Sequence, residues 1–317
     1  MERIAIIDLG TNTLTLLVAN VQTDPHLTIL HDEACVVRLG EGLNKNSKFL
    51  PGAMDRTFSA LTHFKTVLEQ HACTRIIAIG TAGFRQASNA TEFIARVKNK
   101  LQIPITVISG EREAELIYAA TKRDFENIVP LPRLTVDIGG GSTEFIFDNG
   151  KSLVAKSIPF GSVKLTEQFL AGDPPSHAEI KQLDKHIFEQ LENMSHELAN
   201  VPTAQRGSKP SLIATAGTAT TLAAMAQRLA VYDPKKVHQS QLSQLVLQEI
   251  AERIGAIPTH ERQKLPGMTP LRADVIVAGA RLLLATALYF DADTLWISDR
   301  GLRYGILYDF LDSRKQA

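Results

Sequence analysis

The chain has 317 residues, about two domains' worth, and 44% of them are hydrophobic, which suffices for sizeable cores. Lysine plus arginine and aspartate plus glutamate number 34 each, so the formal charge is zero and composition gives no support to a dedicated nucleic-acid or membrane-surface binder. The two cysteines, Cys35 and Cys73, exclude a disulfide framework and suit a reducing cytoplasm, and neither a cleavable leader nor an apolar run of membrane-spanning length is present.

The first apolar run, Ile4 to Ile7, ends in Asp8-Leu9-Gly10-Thr11-Asn12-Thr13 and returns to a strand pattern at Leu14 to Val18, with a third strand expected after Asp24-Pro25 around Leu27 to His31. A loop from Val36 to Leu43 and the pair Pro51-Gly52 precede a helix from about Ala53 to His71, whose Phe58, Leu61, Phe64, Val67 and Leu68 have helical spacing. Arg75 to Gly80 reads as a buried strand ending in small residues and Arg85, which suits ligand approach. A helix from Asn89 to Leu101 and a strand from Ile105 to Ile108 follow. Ser109-Gly110-Glu111 then opens a helix with Glu111, Arg112, Glu113 and Glu115 in its first turns. Acidic residues there favour the helix dipole, but the position after a parallel-type strand is also where α/β active sites collect.

Asn127 to Arg133, with Pro130 and Pro132, is the expected domain boundary. Beyond it, Leu134-Thr135-Val136-Asp137-Ile138-Gly139-Gly140-Gly141-Ser142-Thr143-Glu144 repeats the order found at the N-terminus, namely apolar strand, Asp, apolar residue, Gly and then hydroxyls, before another strand at Phe145 to Phe147. Glycines let backbone N–H groups turn toward an anion, and Asp137 and Glu144 offer the hard oxygens that magnesium takes. A decorated hairpin turn explains one such run; two in the same order predict two loops facing one another across a cleft and gripping a phosphate chain. Neither copy has the Gly-Lys-Ser/Thr ending of a P-loop or the helix that a dinucleotide fingerprint requires.

Helices are expected from Val163 and from Ala178 to Leu198, and a strand from Ser211 to Ala216. Gly217 and Thr218 open a helix of small residues, either as an anion site or as tight helix-to-sheet packing. Arg272 and Asp274 are expected to open an apolar helix through Ala287; an arginine there is not placed for dipole reasons, so a phosphate-facing or ion-pair role is expected. Thr294 to Ser298 closes the strand set and a final helix ends near Asp312. The nine histidines show no HExxH, and no Gly-x-Ser-x-Gly elbow occurs.

Together with Arg38-Leu39-Gly40-Glu41-Gly42, Gly80 to Arg85, Ser109 to Ala114, Ala216 to Thr220 and Ser298 to Arg303, the two loops resemble, in order and from first strand to last helix, the motifs of the exopolyphosphatase / guanosine pentaphosphate phosphohydrolase family. The resemblance implies an α/β fold of two actin-like (ribonuclease H-like) ATPase-superfamily domains around a central cleft, in the family's short form. The domains are expected at 1–126 and 127–302, with a closing helix at about 303–317 that packs back on the first. It also implies hydrolysis of the terminal phosphate of polyphosphate or pppGpp in the cytoplasm, with Mg²⁺ or another divalent cation, and it admits a homodimer. By the same resemblance Glu113 positions the attacking water, Arg85 faces the phosphate chain, and Asp137 and Glu144 bind metal. Asp8, Gly10, Thr11, Asn12, Thr13, Gly139, Gly140, Gly141, Ser142, Thr143, Gly217, Thr218 and Arg272 are expected at the substrate phosphates. Thr15, Ala120 and Tyr304 depart from the family pattern, where a basic residue, glycine and glutamate are common. Two other readings share the loops: an acceptor-dependent small-molecule kinase of the same superfamily, and a (p)ppGpp or nucleotide sensor that binds without cutting. A sensor has no need of a water-orienting carboxylate.

Overall fold

The continuous apolar run before Asp8 gives a strand that is buried on both of its faces, since Ile4 and Ile6 are as fully covered as Ala5, Ile7 and Leu9. The structure is a computed structural model and describes residues 2–21 and 27–315; the expected Asp24-Pro25 break lies outside the described residues. The chain divides into two compact units, Met1–Leu116 with Leu302–Ala317, and Ile117–Gly301. It therefore passes between them inside a helix and after Gly301, whereas the sequence reading put the first division at 126/127.

In the first unit, β1 (Glu2–Leu9), β2 (Thr13–Val21), β3 (Leu27–Val36), β4 (Arg75–Gly80) and β5 (Ile105–Val107) form a sheet of order β3-β2-β1-β4-β5. The first three strands are antiparallel neighbours, and β4 and β5 add in parallel. Helix α1 (Pro51–Gln70) starts with proline at a position where no N–H is needed, and buries Leu61, Phe64 and Leu68 against the sheet. Helix α2 (Ala90–Leu101) adds Phe93 and Val97 to the same core. Helix α3 (Gly110–Phe125) belongs to this unit as far as Leu116.

The second unit repeats the plan. Its strands are β6 (Arg133–Ile138), β7 (Thr143–Asp148), β8 (Leu153–Ile158), β9 (Ser211–Thr215), β10 (Gln241–Ser243) and β11 (Thr294–Ile297), in the order β10-β11-β9-β6-β7-β8. Taken from β8, the sequence β8-β7-β6-β9-β11 matches β3-β2-β1-β4-β5 strand for strand, and β10 is an added antiparallel edge. The expected pair of α/β domains is thus present, built on one repeated strand order. Its longer helices are α4 (Ser162–Phe169), α5 (His177–Glu197), α6 (Ala216–Ala226), α7 (Gln244–Gly255) and α8 (Ile276–Tyr289). Helices α6 and α8 are apolar on nearly all sides and correspondingly buried. Arg272 does not open α8: Thr269 and Pro270 start a separate 3₁₀ turn, Pro270–Arg272, and α8 begins only at Ile276. Among the described residues no helix is long and apolar enough to cross a membrane.

The final helix α9 (Leu302–Lys315) belongs to the first unit and is fastened there by several polar contacts. Arg303 makes a two-point ion pair with Asp32 on β3, and the Tyr304 hydroxyl donates to the same carboxylate at 2.9 Å, so the departure at Tyr304 has a structural use. Arg112 on α3 pairs with Asp309 at 2.6 Å. Between these pairs the helices touch backbone to backbone, since a Cβ on Gly305 would lie 1.9 Å from the Leu116 carbonyl oxygen. Gly305→Ala is therefore expected to destabilise the protein by about 1–3 kcal/mol through overpacking, read as a lower urea midpoint at unchanged slope.

Candidate active site

The two glycine turns have the same construction. The Gly10 amide donates to Thr13 O at 3.0 Å in the β1–β2 hairpin, and the Gly139 amide to Ser142 O at 3.1 Å in the β6–β7 hairpin. In the first loop, Thr11 O accepts from Gly40 N at 2.8 Å and Asn12 O from Val37 N and Arg38 N, both at 3.0 Å. In the second, Gly139 O accepts from Ser162 N at 2.9 Å, and Gly140 O from Val163 N and Lys164 N at 3.1 and 3.3 Å. The carbonyls are thus engaged from behind, by the Val37–Gly40 segment in one case and by the first turn of α4 in the other. Among the described residues no acceptor takes the N–H groups of Thr11 and Asn12, or of Gly140 and Gly141. Consecutive amides left without an acceptor are the donors from which an anion nest is built.

Close approach explains two of the glycines that back the loops. A Cβ on Gly40 would lie 2.1 Å from Thr11 Cγ2, and one on Gly161 would lie 2.4 Å from Gly139 O. In the first loop the Asn12 side chain is buried with neither its oxygen nor its nitrogen hydrogen-bonded. Thr13 and Ser142 provide the backbone oxygens that close the turns. Thr143 is turned inward, its hydroxyl donating to Phe160 O at 2.8 Å.

Glu113 lies in the first turn of α3, where Ser109 Oγ accepts from the Arg112 amide, and the residue is 7% exposed. Arg85 Nη1 donates to Glu113 Oε2 and to Ile108 O, each at 2.9 Å. Arg85 is thus first a holder of Glu113, while its Nε and Nη2 donors have no protein acceptor among the described residues. Burial pushes the Glu113 carboxyl above its ordinary range, against the opposing pull of Arg85. Asp8 is pushed up to about 7, by burial first and then by the negative charge of Glu113, with Arg303 acting the other way. Its Oδ1 is buried with no hydrogen-bond partner.

In the second unit, Asp137 on β6 and Glu144 on β7 stand directly opposite one another, so both carboxylates lie on one face of the sheet. Both are buried, and Ser157 Oγ donates to Glu144 Oε1 at 2.8 Å. Among the described residues no three His, Cys, Asp or Glu side chains gather into a metal-ligating group. Two carboxylates still fit magnesium, which is commonly held by one or two of them with phosphate and water oxygens completing its shell.

The start of α6 is built differently from the loops. The Arg272 guanidinium lies flat over Gly217, a Cβ there falling 2.0–2.2 Å from its Cζ and both terminal nitrogens. Burial lowers the Arg272 pKa to about 10, partly offset by Tyr232. Thr218 is buried against Gly279 of α8, and Gly279 in turn abuts Ser162, which holds the Gly139 carbonyl. Thr218 therefore packs in support of the loop. Sequence reasoning assigned no role to Val37, Gly40, Gly161 or Ser162; the only signal was the glycines, whose use depends on a loop distant in sequence.

The sequence model of the Ppx/GppA phosphatase family matches residues 17–314. The chain belongs to this family. It is 34% identical to exopolyphosphatase 2 of Mycobacterium tuberculosis over 96% of this chain and 98% of that protein. It is 30% identical to the bifunctional 3-dehydroquinate synthase/phosphatase of Fusobacterium nucleatum over 98% of this chain and 47% of that longer protein. Among solved structures, an exopolyphosphatase from Cytophaga hutchinsonii superposes with a TM-score of 0.88 at 30% identity, over 98% of both chains. The Ppx/GppA family member from Aquifex aeolicus gives 0.79 at 30% identity, covering 99% of this chain and 98% of that one. Membership in the Ppx/GppA family makes the paired amide loops part of a phosphatase.

The raised Asp8 value gives a stability signature. A carboxyl protonated more readily when folded than unfolded contributes stability that is complete below the ordinary aspartate value near 4 and is lost as pH rises through about 7. Wild type should therefore lose melting temperature relative to Asp8→Asn between pH 4 and pH 7, as read by differential scanning calorimetry. A constant difference across that window would contradict the placement of Asp8.

Proposed function

We propose that this chain releases the terminal phosphate of inorganic polyphosphate by attack of water. The observation that carries the reading is the pair of amides without a protein acceptor present in both hairpin loops, together with a buried carboxylate, Glu113, that binding alone would not need. Phosphoanhydride hydrolysis requires the negative charge on the transferred group to be met, and a water to be held in line with the leaving oxygen.

The amides of Thr11, Asn12, Gly140 and Gly141 supply fixed donors for phosphate oxygens, and the remaining Arg85 donors add a positive charge. Arg85 also orients Glu113, whose raised affinity for protons makes it a stronger base toward water than an exposed glutamate would be. Asp137 and Glu144 would hold a divalent cation, with magnesium as the expected ion, and it would neutralise phosphate charge. The amides recognise the phosphoanhydride and nothing beyond it, so guanosine pentaphosphate is proposed as a further substrate of the same chemistry.

Phosphate release measured with long-chain polyphosphate, tripolyphosphate, pppGpp and ATP, each with Mg²⁺ and with chelator and without any acceptor, tests the reading. Release from polyphosphate that stops with chelator is expected; turnover that requires an added acceptor hydroxyl would make the protein a kinase. Glu113→Gln should retain polyphosphate binding by calorimetry while kcat falls about 100- to 10,000-fold, the range of a general base.

A further inference from the structure

One residue from each of four neighbouring strands forms a single register row in the second unit: Thr215 on β9, Asp137 on β6, Glu144 on β7 and Ser157 on β8. All four side chains end in oxygen. The matching row of the first unit is Ile79, Asp8, Thr15 and Ala34, which holds one carboxylate and one hydroxyl between an isoleucine and an alanine. Two sheets of the same topology thus differ at this row, and only one of them has the donors for a hard cation.

Thr215 shows where the row is incomplete. It is fully buried, and its Oγ1 has no hydrogen-bond partner among the described residues. It also occupies the N-cap position of α6, where a threonine hydroxyl ordinarily accepts an amide from the first turn, yet it makes no such bond. The side chain is directed elsewhere. A Cβ on Gly301 would lie 3.2 Å from Thr215 Oγ1 and 3.6 Å from Asp137 Oδ2, so both oxygens border the gap that this glycine leaves. Ser157, at the other end, already fixes one oxygen of Glu144.

We propose that the Thr215 hydroxyl is a third protein oxygen for a divalent cation at Asp137 and Glu144, with Ser157 as the positioning residue for Glu144. The inference rests on the cation reading given above. Threonine hydroxyls serve magnesium in this way in phosphate-binding loops, where a neutral oxygen completes the shell without adding charge. It also accounts for the missing cap bond, because a hydroxyl committed to the α6 amides would be unable to face the carboxylates.

Mn²⁺, titrated without substrate and followed by the electron paramagnetic resonance of the free ion, provides a readout independent of turnover. Thr215→Val is expected to weaken Mn²⁺ binding about tenfold or more, at the lower edge of what supporting residues of metal sites contribute. Thr215→Ser should return it close to wild type, and Glu144→Gln should abolish it. In chelator Thr215→Val should melt at or above the wild-type temperature, since it replaces an unsatisfied buried hydroxyl with a methyl group. Wild-type Mn²⁺ affinity in Thr215→Val, with binding lost in Glu144→Gln, would overturn the role of Thr215 and leave the carboxylate site standing. Undiminished binding in Glu144→Gln, or no binding by wild type, would overturn the carboxylate site and this inference with it.

Discussion

Engagement of the loop carbonyls from behind is the constraint on which the rest of the site depends. A tight strand-turn-strand loop has both donors and acceptors to satisfy, and buried backbone groups are rarely left unpaired. In both hairpins the carbonyls are taken by a neighbouring backbone, Val37–Gly40 or Ser162–Lys164, and the amides are left to whatever approaches from the front. Gly40 and Gly161 allow that backing segment to come close enough, and Thr218 and Gly279 support it in the second unit. A phosphate oxygen is the partner such amides suit.

Duplication makes the difference between the units interpretable. Strand order and turn geometry are shared, so a residue of one sheet can be compared with its register counterpart in the other. Asp8 and Asp137 correspond, but Asp8 faces Thr15 where Asp137 faces Glu144. Burial first, and then Glu113 as a like charge, push Asp8 toward the protonated form. The first unit therefore holds two buried carboxyls that keep their protons more readily than exposed ones, Glu113 bonded to Arg85 and Asp8 near it. The second carries the oxygen-rich row suited to a cation. At this register position the units differ by Thr15 against Glu144.

Much of this was legible in the amino-acid order. Asp8 to Thr13 and Asp137 to Glu144 announce the two hairpins because a strand ending in Asp-x-Gly followed by another strand is a local pattern, and Glu113 is marked by its place at a helix start after a parallel strand. Other parts were not legible. The three-residue strand Gln241–Ser243 is too short and polar for any periodicity to show. The apolar run after Arg272 predicts a helix opening there, but Thr269 and Pro270 open a separate turn, and the guanidinium's position over Gly217 depends on a contact far along the chain. Arg85 was assigned to phosphate alone, and its bond to Glu113 arises from side-chain geometry that sequence spacing does not contain. The unpaired hydroxyl of Thr215 likewise becomes visible only once β9 is set beside β6.

The central claim is that water, oriented by Glu113, takes the terminal phosphoryl group. Turnover of tripolyphosphate in H₂¹⁸O, with Mg²⁺ and no acceptor, followed by mass spectrometry of the products, tests it directly. The account predicts one ¹⁸O atom in each orthophosphate released, none in the pyrophosphate left after the first cleavage, and loss of labelled product in Glu113→Gln. Unlabelled orthophosphate, or label found in the shortened chain instead, would contradict it.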